Sequence, residues 1–264
     1  MPTVLSSSFP INVDTVGDDR RPSILAIHPL GTTLEFYDPL IEILSDRFFV
    51  VRFDLRGHGS SGGMGEPFSV SDLAGDAIKV LDALQIGRTH VLGASFGGFV
   101  AAAVAAEYAP RVDQLVLAGT SPELGGEEWW RRTMDEVSKG GMAAIVDHLD
   151  GIFFSEEWKL ALPERREEAR AMLLRTDPAA YIAGIHAMLD NDLTSVAQLI
   201  RASTLLIAGE NDPVFRHDPA ENLLALIPGS ESVSVGGAKH RVLLEQPEVL
   251  AGLIVEFLTD GDAR

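Results

Sequence analysis

Short runs of uninterrupted apolar residues alternate along this chain with stretches whose apolar positions recur every three or four residues. The runs lie at 24–28, 48–54, 90–93, 114–119, 204–208 and 232–235, and most stop at or beside a glycine or proline. A strand covered on both faces reads as a continuous apolar run, because neither face meets water. Between the runs, Leu73, Ile78, Leu81 and Leu84 fall at helical spacing, residues 97–108 form a small-residue helix stopped before Pro110, and helices are expected at 220–227 and 247–258. This alternation predicts the α/β class: a mostly parallel sheet with helices on both faces. The residues before 24 carry a weaker signal for one or two antiparallel edge strands.

The rhythm breaks between residues 121 and 202. Strand runs vanish, Trp129, Trp130, Phe153, Phe154, Trp158 and Tyr181 gather, and residues 164–175 read as a charged helix. The segment is expected to be a helical lid inserted after the sixth strand, over the carboxyl edge of the sheet. Residues 1–120 and 203–264 would then form the core domain and residues 121–202 the lid.

The chemistry is concentrated where strands end. Gly93-Ala94-Ser95-Phe96-Gly97 follows an apolar run and precedes a helix. A Gly-x-Ser-x-Gly turn in that context forces the serine into a strained backbone and presents its hydroxyl at a helix N-terminus. Serine is a weak nucleophile and needs a base. His240, in a glycine-containing loop after the last run, is the expected base. Asp212, in the turn after 204–208, is the expected acid that orients it, with Glu210 as its rival and Asp192 a weaker one. His58 and His90 are read as structural, and His148 and His217 as lid or polar-segment residues. A developing oxyanion needs backbone donors, and the N–H groups of Phe96 and Leu30 are expected to supply them. Pro29 has no N–H to offer.

These residues resemble the α/β-hydrolase superfamily over nearly the whole chain outside the lid. His28-Pro29-Leu30-Gly31 is similar to its oxyanion turn. The segment from Asp54 through Gly57-His58-Gly59 to Ser61 is similar to its Asp-x-Arg-Gly-His-Gly-x-Ser stretch, and His240 with Glu245-Gln246-Pro247 to its histidine segment. Within the superfamily, Leu30-Gly31-Thr32, Tyr37-Asp38-Pro39 and residues 172–181 resemble 3-oxoadipate enol-lactonases. The chain departs from that group at His28-Pro29 and at Phe96, and both departures are expected to line the pocket. The resemblance implies a serine hydrolase that opens a small carboxylic ester or lactone through an acyl-enzyme, with no metal and no organic cofactor. Two other activities share the architecture: carbon–carbon bond hydrolysis of aromatic ring-fission products, and non-catalytic ligand reception.

Charge and composition narrow the partners. With 21 Lys+Arg against 39 Asp+Glu the formal net charge is −18, which opposes binding to nucleic acid and anionic lipid. The same field slows anionic substrates unless a local cation offsets it. Arg131 and Arg132, beside the two tryptophans, are candidates for that cation. His28, Trp129, Trp130, Arg131, Phe153 and His186 are the candidate substrate contacts. There are no cysteines, and no apolar stretch approaches the roughly 20 residues of a membrane span. No signal peptide is read at the N-terminus, a cytoplasmic location is expected, and a homodimer is left open.

Overall fold

Eight strands form one sheet in the computed structural model, which describes residues 3–5, 9–63, 65–122, 126–214 and 219–260. The strands are β1 (Thr3–Leu5), β2 (Pro10–Val16), β3 (Ser23–Ile27), β4 (Phe49–Phe53), β5 (Thr89–Ala94), β6 (Val112–Ala118), β7 (Ser203–Gly209) and β8 (Glu231–Val235). Their order is β1-β2-β4-β3-β5-β6-β7-β8. β1 and β2 pair antiparallel at one edge, and every pairing from β4 to β8 is parallel. The edge strands and the six apolar runs are therefore where the sequence pattern puts them, within two residues at each end. His217 lies outside the described residues.

The apolar runs are continuous because the sheet is covered twice. Leu25, Ile27 and Val91 point into one core, while Ile24, Ala26, Leu92 and Ala94 point into the other. The helices α1 (Asp38–Ser45), α2 (Val70–Ala83) and α3 (Phe96–Glu107) are joined in chain order by those that follow β6. Ser69 caps α2 through a reciprocal pair with Asp72, a box that satisfies two backbone N–H groups at its start. α3 is buried on nearly every side, so it is apolar all round and shows no polar stripe.

Between β6 and β7 the described residues form helices and no strand: α4 (Glu127–Gly140), α5 (Val146–Phe153), α6 (Glu156–Ala161), α7 (Pro163–Arg175), α8 (Pro178–Leu189) and α9 (Leu193–Ala197). After β7 come α10 (Pro219–Leu226), α11 (Val242–Glu245) and α12 (Pro247–Asp260). Among the described residues, no helix is long and apolar enough to cross a membrane.

The helices between β6 and β7 press directly on the turn after β3. A Cβ at Gly184 of α8 would stand 2.3 Å from Leu30 Cδ1, and one at Gly31 would stand 2.6 Å from Leu173 Cδ1 of α7. At Gly31 the positive φ of 74° and the Tyr181 ring, 2.9 Å from such a Cβ, favour glycine, whereas at Gly184 the close atom is the movable end of a leucine. α5 and α6 are tied to the loop after β8: Arg241 N–H donates to Phe153 O at 3.1 Å, Trp158 Nε1 to Leu244 O at 3.1 Å and Lys239 Nζ to Gly151 O at 2.8 Å.

Candidate active site

Parallel strands end together, so the loops that follow β3, β5, β7 and β8 meet at one rim of the sheet, where α/β proteins place their ligands. Ser95 stands at the first of these to be formed by a sharp turn. Its φ is 52° and ψ −119°, a left-handed conformation that is strained for a residue with a Cβ. Surrounding bonds hold it there: Ser95 N–H donates to Ala118 O at 2.8 Å, and its carbonyl accepts from Gly98 N at 2.8 Å and Thr120 Oγ1 at 3.1 Å. The flanking glycines are required by space. A Cβ at Gly93 would lie 2.4 Å from Gly97 O, and one at Gly97 would lie 2.1 Å from Ile27 O.

Three side chains converge. Ser95 Oγ lies 2.9 Å from His240 Nε2, and His240 Nδ1 lies 2.8 Å from Asp212 Oδ2. A carboxylate only accepts, so Nδ1–H donates to Asp212 and the Nε2 lone pair faces the serine hydroxyl. Asp212 Oδ1 accepts from Val214 N–H at 2.8 Å, which fixes the carboxylate plane. Both side chains are almost sealed from water, at 2% and 1% exposure. The Phe153 ring, 5.3 Å from the imidazole, covers it on the helical side. Glu210, the rival acid, is exposed and accepts instead from Gly237 N–H at 3.0 Å. Asp192 caps α9 through Ser195.

A cavity of about 350 Å³, open solvent included, is bordered by Ser95, His240, Leu30, Phe96 and Arg241 from the core. Trp130, Phe153, Tyr181 and Met188 border it from the helical segment, and Val214 from the loop after β7. The N–H groups of Leu30 and Phe96 have no hydrogen-bond acceptor among the described residues. They are thus available to a ligand.

The candidate substrate contacts divide. Trp130 and Phe153 border the cavity. Trp129 does not: it packs edge-on against Trp130 with centroids 4.4 Å apart. Arg131 is exposed and bonded to Glu127 at 2.6 Å, one helical turn away, and Arg132 is exposed too, so neither meets the pocket. His186 is exposed on α8, because the register of that helix turns Ile185 and Met188 inward instead.

His28 is also corrected. It is fully buried beneath the turn, with Nδ1–H donating to Pro29 O at 2.8 Å and Nε2 accepting from Leu55 N–H at 2.9 Å. His58 Nε2 accepts from Gly31 N–H at 3.3 Å, a contact outside its own turn. The two imidazoles therefore brace the 28–31 turn from below; of the two departures from the enol-lactonase pattern, only Phe96 borders the cavity. Asp54 completes the brace, accepting from Leu34 N–H at 2.8 Å, Asn12 Nδ2 at 2.8 Å and Ser60 N–H at 2.9 Å.

Burial, and then the neighbouring His58, pulls His28 down to about 3, and burial lowers His58 as well. The unfolded chain takes up protons near the ordinary 6.5 while the folded chain refuses them. Stability from these groups is complete above that value and is lost as pH falls toward the folded one. From about pH 7 to about pH 5 the loss is about 2 kcal/mol for His28, and the lowered His58 adds to it in the same direction. Urea midpoints over that range should fall in the native protein. In His28→Gln they should start lower and fall less.

Arg241, Tyr181, Met188 and Val214 were not among the expected pocket residues. Adjacency to His240 is the one signal that points to Arg241. Tyr181 has one in its place among the aromatics of the 121–202 segment; Met188 and Val214 have none, since their contact with the cavity depends on how α8 and the 212–214 turn pack.

Comparison with known proteins places the site in context. The family model for the alpha/beta hydrolase fold matches residues 22–140. The chain is 28% identical to 3-oxoadipate enol-lactonase 2 of Acinetobacter baylyi over 246 residues, covering 93% of this chain and 92% of that one. It superposes on the crystal structure of the enol-lactonase from Burkholderia xenovorans LB400 with a TM-score of 0.94 at 28% identity, covering 98% and 100% of the two chains. A hydrolase from Pseudomonas aeruginosa PA01 is 31% identical with a TM-score of 0.90, covering 97% of each chain.

Proposed function

The chain belongs to the α/β-hydrolase family, and we propose that it is a serine hydrolase cleaving a carboxylic ester or lactone of a small molecule through an acyl-enzyme. One observation carries the reading: the unbroken relay from Ser95 Oγ through His240 to Asp212, with two acceptor-free N–H groups on the same cavity. The similarity to enol-lactonases supports the bond type.

In the proposed reaction Ser95 Oγ attacks the carbonyl carbon as its proton passes to His240 Nε2. The imidazolium so formed is held by the Asp212 carboxylate. The carbonyl oxygen becomes an oxyanion against the Leu30 and Phe96 N–H groups, each such donor being worth roughly 3–4 kcal/mol of barrier. Collapse expels the alkoxide or enolate, which takes the proton from His240. In a lactone the leaving oxygen stays tethered to the acyl chain. A water then gives its proton to His240 and attacks the ester of Ser95, returning the free enzyme and a carboxylic acid. No step calls for a metal or organic cofactor.

The helices from Glu127 to Ala197 act in this reading as a lid that supplies the apolar wall, Trp130, Phe153, Tyr181 and Met188, around the acyl or alcohol portion. The test is a panel of p-nitrophenyl esters, simple lactones, enol-lactones and vinylogous diketones. Turnover of esters or lactones that vanishes in Ser95→Ala supports the proposal. Turnover of the diketones alone replaces it with carbon–carbon hydrolysis, and binding of ligands without turnover replaces it with reception.

A further inference from the structure

One buried cation at the site has no role in the chemistry just described. Arg241 is 5% exposed, follows His240 directly and borders the Ser95 cavity. It also borders a second cavity, lined by Gly31, Thr32, Met172 and Leu173 and separated from the first by Phe153 and Arg241 itself. Its Nη2 donates to Leu30 O at 3.2 Å, and its guanidinium carbon lies 4.4 Å from the centre of the Phe153 ring. Its Nη1 has no acceptor, and no carboxylate lies within ion-pair distance of it among the described residues.

That arrangement is expensive unless something uses it. A buried charge without a counterion is strongly disfavoured, and a lone unsatisfied donor adds to the penalty. The groups around it relieve it only in part: the Asp212 charge and the Phe36 and Phe153 rings favour the charged form, while Asp150, which lines the second cavity, is paired with Arg166 at 2.8 Å. Tyr37 and Tyr181 are neutral hydroxyls whose titration burial pushes further up. Asp212 is committed to His240 and Val214. Burial draws the guanidinium down to about 10, which leaves it charged at neutral pH.

We infer that Arg241 is the anion-binding residue of this pocket, taking the carboxylate of an ester or lactone whose reacting carbonyl lies at Ser95. The inference rests on the hydrolase reading above and adds the substrate class to it. The free Nη1 donor, the shortage of counter-charge and the access to both cavities all favour a carboxylate a few bonds from the carbonyl. The site thus offers, inside a chain of net charge −18, the local cation that an anionic substrate requires. Arg170 on α7, whose Nη1 is also buried without an acceptor, borders the second cavity, but its other nitrogens already meet Asp147 and Glu167.

The probes are p-nitrophenyl hydrogen glutarate, which carries a carboxylate, and p-nitrophenyl valerate, a neutral acyl chain of the same length. The readout is the ratio of their kcat/KM values. The native protein should favour the hemiester. In Arg241→Met that ratio should fall by about 30-fold, through a raised KM for the hemiester, and Arg241→Lys should recover much of it. An unchanged ratio in Arg241→Met, even with both rates reduced, would show that the residue only supports the Leu30 turn. A native ratio at or below one would also overturn the inference. Because it is a ratio, partial unfolding of a variant does not move it. Failure of the underlying reading looks different: Ser95→Ala would then retain turnover of both esters.

Discussion

Ser95→Ala loses about 10⁶-fold in kcat while keeping its fold. In the proposed reaction the hydroxyl is the group that forms the covalent bond, and it is the one hydrogen-bonded to His240 Nε2, at 2.9 Å. Alanine keeps the Cβ, so the strained backbone at φ 52° is no worse than before, and the turn is still pinned by Ala118 and Thr120. The thermal midpoint should therefore stay close to that of the native protein. His240→Ala is expected to lose nearly as much, and the double variant little more than either alone, because the two groups act as one unit. Steady-state kinetics on a p-nitrophenyl ester, with circular dichroism as the folding control, measures all three. Additive losses would mean that the serine and the histidine act in separate steps.

Asp212→Asn should reduce kcat by about 10⁴-fold with a small change in KM. The reason is the hydrogen-bond pattern rather than size. Val214 N–H needs an acceptor and binds Oδ1 at 2.8 Å. An asparagine that keeps that bond turns its NH₂ toward His240 Nδ1. The imidazole must then carry its proton on Nε2, where it faces the Ser95 hydroxyl and can no longer accept from it. Glu210→Gln is the control, since that carboxylate is exposed and serves only the Gly237 turn. It should leave kcat within a few-fold of native. A reversal of the two results would make Glu210 the acid and contradict the assignment.

The three residues of the relay were legible because each sits beside a strand end whose position the apolar runs reveal. A local motif plus a topological rim is enough to bring residues 95, 212 and 240 together. The Leu30 and Phe96 donors were legible for the same reason. The contacts from the helices between β6 and β7 were not. Trp129 and Trp130 are consecutive and chemically alike, yet a helix turns them about 100° apart, so one borders the cavity and the other packs on its neighbour. His186 and Arg131 fell on the outer sides of helices whose registers are set by packing, α8 against Leu30, Gly31 and α3 and α4 against α8, contacts no local pattern encodes. His28 misled through its motif: its ring faces the backbone of Leu55, and the pocket is built by the residue two places on. Charge alone points to the helices between β6 and β7 for the pocket cation, whereas burial singles out Arg241 on the histidine loop.

The account stands on a covalent bond to one oxygen. Mixing the protein with an excess of a p-nitrophenyl ester and quenching in acid within the first turnover should give a burst of nitrophenolate near one per active site. Intact-mass and peptide analysis of the quenched protein should then find the acyl group on the peptide that carries Ser95. Full turnover with no burst and no acylated protein, or an acyl group carried by another residue, would contradict it.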